Sequence, residues 1–486
     1  MNSAAPAVPR ARVAVTVTVA LLALAVATGP LCGRLLAGDP IAPPLLGAVA
    51  AAALVAGASL RRLDLLLLLA NVAAIAFLPA IHHRSALAAA EPNPFYDGTL
   101  LRIALPELLA AAALAAAWLR RRTAPAAAAA PAGGALPALV AGFLALGLLV
   151  GLVRGNSLAE CLRDGRKFAY VALAHLLVVH CAGDAGRRRA LLRCVALALA
   201  ARALVTLAAA VADRGFHYHG FLRSSVDVGD FLGFLALIYL PAAQLRARPT
   251  QTGERLLLGL LIVIGSAATL ATFSRAAWCA APIGIAVLLL HRVRESRAAP
   301  RALAAAALLA AVAAPLLVGG LAGRAVDRLE PLLDPAGDTS VSYRLRELRG
   351  AAGVVADHPL VGIGLGTRFD AGAALVDRRR AAPTMVHNLY LWSAVKAGAA
   401  GLLLMAAVLG IPALQLSRAA RRGGDPATVA LALGLLALLA AFAALGLVGA
   451  MVNQARVAIA LGLVTGLAQT LAAPSAAASP PPEPRR

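Results

Sequence analysis

Two cations and one imidazole in this sequence have the chemistry to hold a polyanion and to move a proton. Arg275 stands in Phe273-Ser274-Arg275-Ala276-Ala277-Trp278, between the apolar runs Leu256–Thr272 and Ala276–Leu290. A guanidinium near hydrocarbon costs roughly 2.5–3.5 kcal/mol at the centre of a span and less near the interface. One explanation is an arginine that snorkels to lipid headgroups. The other is a fixed guanidinium whose planar fork grips a lipid-linked phosphate with paired hydrogen bonds. Arg344 offers the same choice between an interfacial arginine and an inward-facing anion ligand. His387 stands in Pro383-Thr384-Met385-Val386-His387-Asn388-Leu389-Tyr390-Leu391-Trp392, where a long polar segment gives way to an apolar run. An imidazole there can take a proton from an attacking hydroxyl near neutral pH, or it can cap and brace the helix that follows.

The elements that must position these residues are apolar helices. Of 486 residues 61% are hydrophobic and 14% charged, against roughly 45–50% apolar in a water-soluble domain, so most helices must meet lipid. At about 20 apolar residues per crossing, spans are expected near 12–30, 42–59, 63–81, 100–119, 135–153, 168–182, 190–212, 229–245, 255–273, 276–291, 302–322, 387–414, 427–449 and 455–472. The fold class is therefore an all-α polytopic membrane protein of about 12–14 transmembrane helices. Its organisation reads as an N-terminal bundle over 1–322, a large loop over 323–386, C-terminal helices over 387–472 and a low-complexity, disordered tail over 473–486. Arg10 and Arg12 before the first run resemble a signal peptide, but no clear small-residue cleavage site follows, and a retained first helix is expected.

Charge fixes an orientation. The chain carries 45 Lys+Arg against 23 Asp+Glu. With the N-terminus in the cytoplasm, Arg61-Arg62, Arg120-Arg121-Arg122, Arg187-Arg188-Arg189, Arg246/Arg248/Arg255, Arg292/Arg294/Arg297/Arg301 and Arg418/Arg421/Arg422 all fall on inside loops, as the positive-inside rule requires. The long loop is then outside, together with cations the rule leaves unexplained: Arg163, Arg166 and Lys167 before the sixth span, Arg214 and Arg223 before the eighth, and Arg275. As single residues these are solvated loop charges; as a cluster they point to an anionic ligand.

Within the long loop, Thr339 or Ser340 can cap a helix running to about Ala356. Val341, Leu345, Leu348, Ala352 and Val355 share one stripe of it, suited to a membrane surface or to covering the bundle. At about 100° per residue Arg344 lies some 60° from the centre of that stripe, while Arg346 and Arg349 point further away. His358-Pro359 ends the helix, and Gly362-Ile363-Gly364-Leu365-Gly366 follows. This is no dinucleotide fingerprint; the glycines suit a tight turn approached closely by other backbone, with phosphate contact through N–H groups as the weaker option. Five cysteines show no metal spacing; core packing is expected for most, and a Cys32–Cys161 bridge is unsupported. His82, His83, His217 and His219 lack acidic or cysteine partners at metal spacing, and no metal site is expected.

Ser274-Arg275-Ala276-Ala277-Trp278, Ser342-x-Arg344, His358-Pro359-Leu360-Val361-Gly362-Ile363-Gly364 and His387-Asn388-Leu389-Tyr390-Leu391 with Gly398 occur in that order. The ordered set, over roughly 270–405, resembles the O-antigen ligase and polymerase family of bacterial envelope glycosyltransferases. The resemblance implies a GT-C-like, metal-independent, inverting transferase of the inner membrane that needs no cofactor. Its donor would be an undecaprenyl-diphosphate-linked glycan at the periplasmic face. Its acceptor would be a lipid A–core sugar in a ligase, or another lipid-linked repeat in a polymerase. Arg275 and Arg344 match the family arginines associated with the donor diphosphate, and His387 the histidine that activates the acceptor hydroxyl. Ser274, Arg163, Arg166, Lys167, Asn388 and Tyr390 are further candidates for substrate contact. The bilayer is the surrounding partner, and no nucleic acid is expected. Leu348 stands where an aromatic is common and Lys396 where Glu is frequent, the latter bearing on acceptor contacts.

A transporter or flippase for lipid-linked glycans is the alternative of another class. It predicts charges spread through successive spans and internal repeats, whereas these spans read as nearly charge-free.

Overall fold

The computed structural model describes residues 63–77, 105–123, 134–212, 216–218, 221–223, 230–247, 250–272, 274–291, 339–369, 386–422, 425–449, 452 and 454–472. The spans expected near 12–30, 42–59 and 302–322, the tail, Arg214 and Cys32 lie outside these residues. In chain order the helices are α1 (Leu63–Phe77), α2 (Leu105–Thr123), α3 (Ala135–Val153), α4 (Leu158–Cys181), α5 (Ala185–Ala212), α6 (Phe231–Ala247), α7 (Thr252–Ala271), α8 (Arg275–Leu290), α9 (Thr339–Asp357), α10 (Leu389–Arg421), α11 (Pro426–Leu445) and α12 (Ala455–Ala472). Among the described residues one exception breaks the helical pattern. Strands β1 (Phe216–Tyr218) and β2 (Phe221–Arg223) pair antiparallel, with His217 opposite Leu222; aromatic residues favour such pleated pairing.

Six of these helices are long and apolar enough to cross a membrane, and four shorter ones are apolar as well. The protein is a multi-pass, essentially all-α membrane protein. Leu403 and Leu256 are 72% and 71% exposed, as expected of side chains that face lipid rather than protein.

The chain divides into two compact units, 1–129 with 190–198, and 130–189 with 199–486. In the first, α1 packs on α2, and the buried Asp64 is bridged by Arg120 at 2.9 Å. The second unit holds Arg275, Arg344, the glycine segment over residues 362–366 and His387.

The ends of that second unit can be assigned from side-chain contacts. His175 of α4 meets Thr465 and Gln469 of α12, and Gly462 and Gly466 approach Val171 and Val178, so α4 and α12 run parallel. Leu232 of α6 shares a narrow crevice with Leu438, Leu439 and Phe442 of α11, while Gly434 meets Leu240; these two helices run antiparallel. Tyr239 reaches the carbonyl of Ala281 and Arg246 that of His291, so α8 parallels α6. Arg187, Arg246, Arg255, Arg418, Arg421 and Arg422 consequently share one end. Burial and then the charges of Arg246 and Arg421 push the His291 imidazole below its usual range there. The opposite end holds the first residues of α4, α6, α8, α10 and α12.

Candidate active site

Arg275 and His387 both belong to that second end. Ser274 is the N-cap of α8, its hydroxyl accepting from the Ala277 amide at 3.4 Å, and Trp278 Nε1 donates to Thr269 O at 3.2 Å, tying α8 to the end of α7. This puts the half-buried Arg275 at the first turn of α8, where the positive end of the helix dipole adds to its own charge. His387 precedes α10. There Leu389 N donates to Gly446 O at 2.7 Å, Asn388 Nδ2 to Leu447 O at 3.0 Å and Tyr390 OH to Ala443 O at 2.8 Å, so the start of α10 is pinned to the end of α11. Asn388 Oδ1 also accepts from the Leu391 amide at 2.8 Å, making it the N-cap of α10. The side chains of Ser274, Asn388 and Tyr390, candidates for substrate contact, thus have structural partners within the protein.

His387 is bonded by a residue that sequence reasoning passed over. The carboxylate oxygens of Glu347 of α9 lie 3.0 and 3.1 Å from His387 Nδ1, and one of them accepts from the His387 amide at 3.0 Å. The Glu347 side chain is 1% exposed and that of His387 38%; the carboxylate is sealed while part of the ring stays accessible. Arg344 lies one turn before Glu347 on the same helix and is half-buried.

The inward face of α9 is not its apolar stripe. Glu347 and Ala351 are buried, while Leu345 is 47% exposed. At about 100° per residue the buried direction is turned roughly 100° from the centre of the stripe, towards the side of Arg344. In a membrane protein lipid can cover leucines, and there is no apolar drive to bring them to a neighbouring helix. A carboxylate, by contrast, has to be covered by partners that bond it.

Below the histidine, the glycine segment enters the bundle and completes a broken helix. α10 loses helical geometry at Ala397 (φ −140°) and Gly398 (φ 62°), which strands backbone groups on both sides of the break. The loop satisfies them. Ile363 N donates to Val395 O at 2.8 Å and Gly364 N to Lys396 O at 3.1 Å, while Ala399 N donates to Pro359 O at 2.8 Å. Gly364 has φ 82°, and a Cβ there would lie 2.6 Å from Gly151 Cα, so the close approach expected of these glycines is present. The amides of residues 362–366 are all bonded within the protein, which removes them as phosphate ligands. Irregular backbone at this depth is tolerated because protein surrounds it.

A buried ion pair holds the junction. Lys396 Nζ lies 2.7 Å from Asp164 Oδ2 of α4 and donates to Thr367 O at 3.0 Å; Asp164 also accepts from Gly366 N at 3.0 Å. Lys396 is fully buried, so its bearing on acceptor contacts is corrected: it braces the glycine loop from inside. Cys161, in the same turn of α4, is unbridged and donates to Leu365 O at 3.2 Å. A second buried group, Asp230 between Arg202 at 2.8 Å and Arg456 at 2.7 Å, joins α5, α6 and α12. The helices therefore carry more internal charge than their sequence suggested, and these charges are paired.

Arg163, Arg166 and Lys167 are on α4 itself, not on a loop before it, because Ser157 and Glu160 form a capping box that starts the helix early. Arg163 and Lys167 are exposed, and Arg166 Nε donates to Tyr170 OH at 3.1 Å. The Glu160 carboxyl is held below its usual range by the Ser157 hydroxyl and amide, then by Arg368 and Arg163.

The family model described as O-antigen ligase matches residues 260–406, a range that contains Arg275, Arg344, Glu347, His358, Lys396 and His387. Over that range the chain is similar to the O-antigen ligase family. No curated protein matches the chain. The matched range extends from within α7 to the middle of α10, and the Lys396–Asp164 and Leu365–Gly147 contacts anchor it to α3 and α4, which lie outside it.

Proposed function

We propose that this protein is an O-antigen ligase-like glycosyltransferase that moves a glycan from undecaprenyl diphosphate to a hydroxyl of a lipid A–core or similar acceptor. The observation that carries this reading is the match of residues 260–406 to the O-antigen ligase family, together with the common end of the bundle shared by Arg275 and His387. Because the arginine clusters gather at the opposite end, the positive-inside rule favours an inner-membrane protein with His387 and Arg275 at the periplasmic side.

The chemistry asked of the residues is direct displacement. His387 takes the acceptor hydroxyl proton, the acceptor oxygen bonds the anomeric carbon, and the bond to the diphosphate breaks with its electron pair leaving on the phosphate oxygen. The configuration inverts. Charge grows on the leaving group as that bond lengthens, so guanidinium groups at Arg275 and Arg344 stabilise the transition state more than the ground state. They supply the positive charge, so the proposed mechanism is metal-independent. Arg163, Arg166 and Lys167, at the same end of the bundle, are proposed to contact the anionic substrates.

The test is reconstitution of the purified protein with a polyprenyl-diphosphate-linked glycan and candidate acceptors, followed by identification of the glycosylated product. Glycan on lipid A–core supports the ligase. Elongated lipid-linked glycan makes it a repeat-unit polymerase, the nearest alternative. Movement of intact lipid-linked glycan across the bilayer with no new glycosidic bond would overturn both.

A further inference from the structure

We infer that Glu347 is the positioning residue for His387: it sets the tautomer of the imidazole and stabilises the cation that forms when the ring takes a proton. The inference rests on the reading of His387 as the base, and it explains why a loop helix buries a carboxylate while leaving Leu345 exposed.

A carboxylate of Glu347 has only acceptor sites to offer. Two of its contacts run to His387 Nδ1, at 3.0 and 3.1 Å, so the ring proton resides on Nδ1 and the lone pair on Nε2. The third contact, from the His387 amide at 3.0 Å, fixes the backbone that carries the ring. Rotation about the side chain is thereby limited from both ends, and Nε2 is the nitrogen that takes the acceptor's proton. When Nε2 takes the hydroxyl proton, the imidazolium finds a carboxylate already in hydrogen-bond contact and shielded from water. The proton stays on Nε2, Nδ1–H stays with Glu347, and no further reactant is needed.

The second part of the inference concerns α9. Arg344 and Glu347 are three residues apart, which places them on neighbouring positions of one helix face. Docking of α9 on α10 therefore orients the base and delivers the guanidinium in the same step, and a displaced α9 loses both. The loop helix is a single part with two functional groups, and Glu347 is the one that couples it to the base.

The experiment uses the full-length protein in lipid nanodiscs. Glu347→Gln keeps the shape and one acceptor oxygen but removes the charge. It is expected to lower kcat by about 10²–10⁴-fold, the range associated with a mis-set or missing base, with the donor KM within about twofold of wild type. Glu347→Asp is expected to recover part of kcat. Nitrogen-15 histidine spectra of the wild type, with the His387 signals assigned by their loss in His387→Ala, should show Nδ1 protonated and Nε2 bare. In Glu347→Gln that preference should disappear. A wild-type kcat in Glu347→Gln, or a wild-type spectrum with the proton on Nε2, would overturn the inference. The spectra do not depend on turnover, so they decide the pairing even if a variant folds poorly. A wild-type protein with the Nδ1–H tautomer but no transfer to any acceptor would instead overturn the glycosyltransferase reading and leave the pair intact.

Discussion

Lys396 of α10 and Asp164 of α4 form a 2.7 Å ion pair in which the lysine side chain is 0% exposed. The pair closes a ring of contacts, because Asp164 also holds the Gly366 amide and Lys396 the Thr367 carbonyl. Removing one partner leaves a buried charge uncompensated, which costs about 3–5 kcal/mol, while replacing both with apolar residues avoids that penalty. Lys396→Met and Asp164→Leu are each expected to lower stability by that amount, and the double variant by clearly less than their sum. Equilibrium unfolding in detergent measures the coupling; additivity within about 0.5 kcal/mol would mean that the pair is dispensable.

The glycine turn supplies a contrast between two glycines in the same region. Gly364 has φ 82° and lies against Gly151, whereas Gly353 of α9 has open space where a Cβ would go. Gly364→Ala is expected to cost at least about 1–2 kcal/mol from the left-handed backbone alone, with overpacking against α3 adding about 1–3 kcal/mol. Gly353→Ala, inside a helix, is expected to stabilise by about 0.5–1 kcal/mol. Thermal unfolding of the two purified variants checks the opposite signs, and equal effects would show that the turn yields.

Much of this was legible in the sequence, for identifiable reasons. Apolar run length placed α3 and α12 at their observed bounds, and arginine clustering separated the two ends of the bundle. Helix α9 was legible from its cap and period, but its inward face was not. The stripe of Leu345 and Leu348 followed the rule for water-soluble helices, and in lipid the residue needing protein cover is Glu347. The early start of α4 was written in Ser157-Leu158-Ala159-Glu160, a capping box, and was obscured by the charges that follow it. The break in α10 could not be read from Ala397-Gly398 alone, because its partner is the distant glycine turn. The same holds for Asp164 with Lys396, 232 positions apart by number (396 − 164) and joined only by the fold.

Arg275 tests whether a fork or merely a charge is required at the start of α8. Lysine preserves the cation but offers a compact point charge in place of paired donors. If the guanidinium holds the leaving diphosphate, Arg275→Ala should lose about 10²–10³-fold in transfer, the loss expected for one positioned donor, and Arg275→Lys should fall between it and wild type. Arg344→Ala should show a comparable loss. Quantified membrane levels must match wild type for the comparison to hold. Wild-type transfer in both alanine variants would return these arginines to a purely interfacial role.

Asn388 separates a capping role from a substrate-binding one. Its Oδ1 takes the Leu391 amide at 2.8 Å and its Nδ2 reaches Leu447 O at 3.0 Å, so both ends of the amide are engaged by the fold. Loss of such a cap costs about 0.5–2 kcal/mol, and the first turn it would loosen adjoins His387. Asn388→Ala is therefore expected to reduce kcat through a less well-placed imidazole while leaving the acceptor KM unchanged. Asn388→Ser, which keeps a capping oxygen, should recover most of both stability and rate. A raised acceptor KM at unchanged kcat in Asn388→Ala would assign this side chain to the acceptor instead, since that pattern marks binding felt equally in ground and transition states.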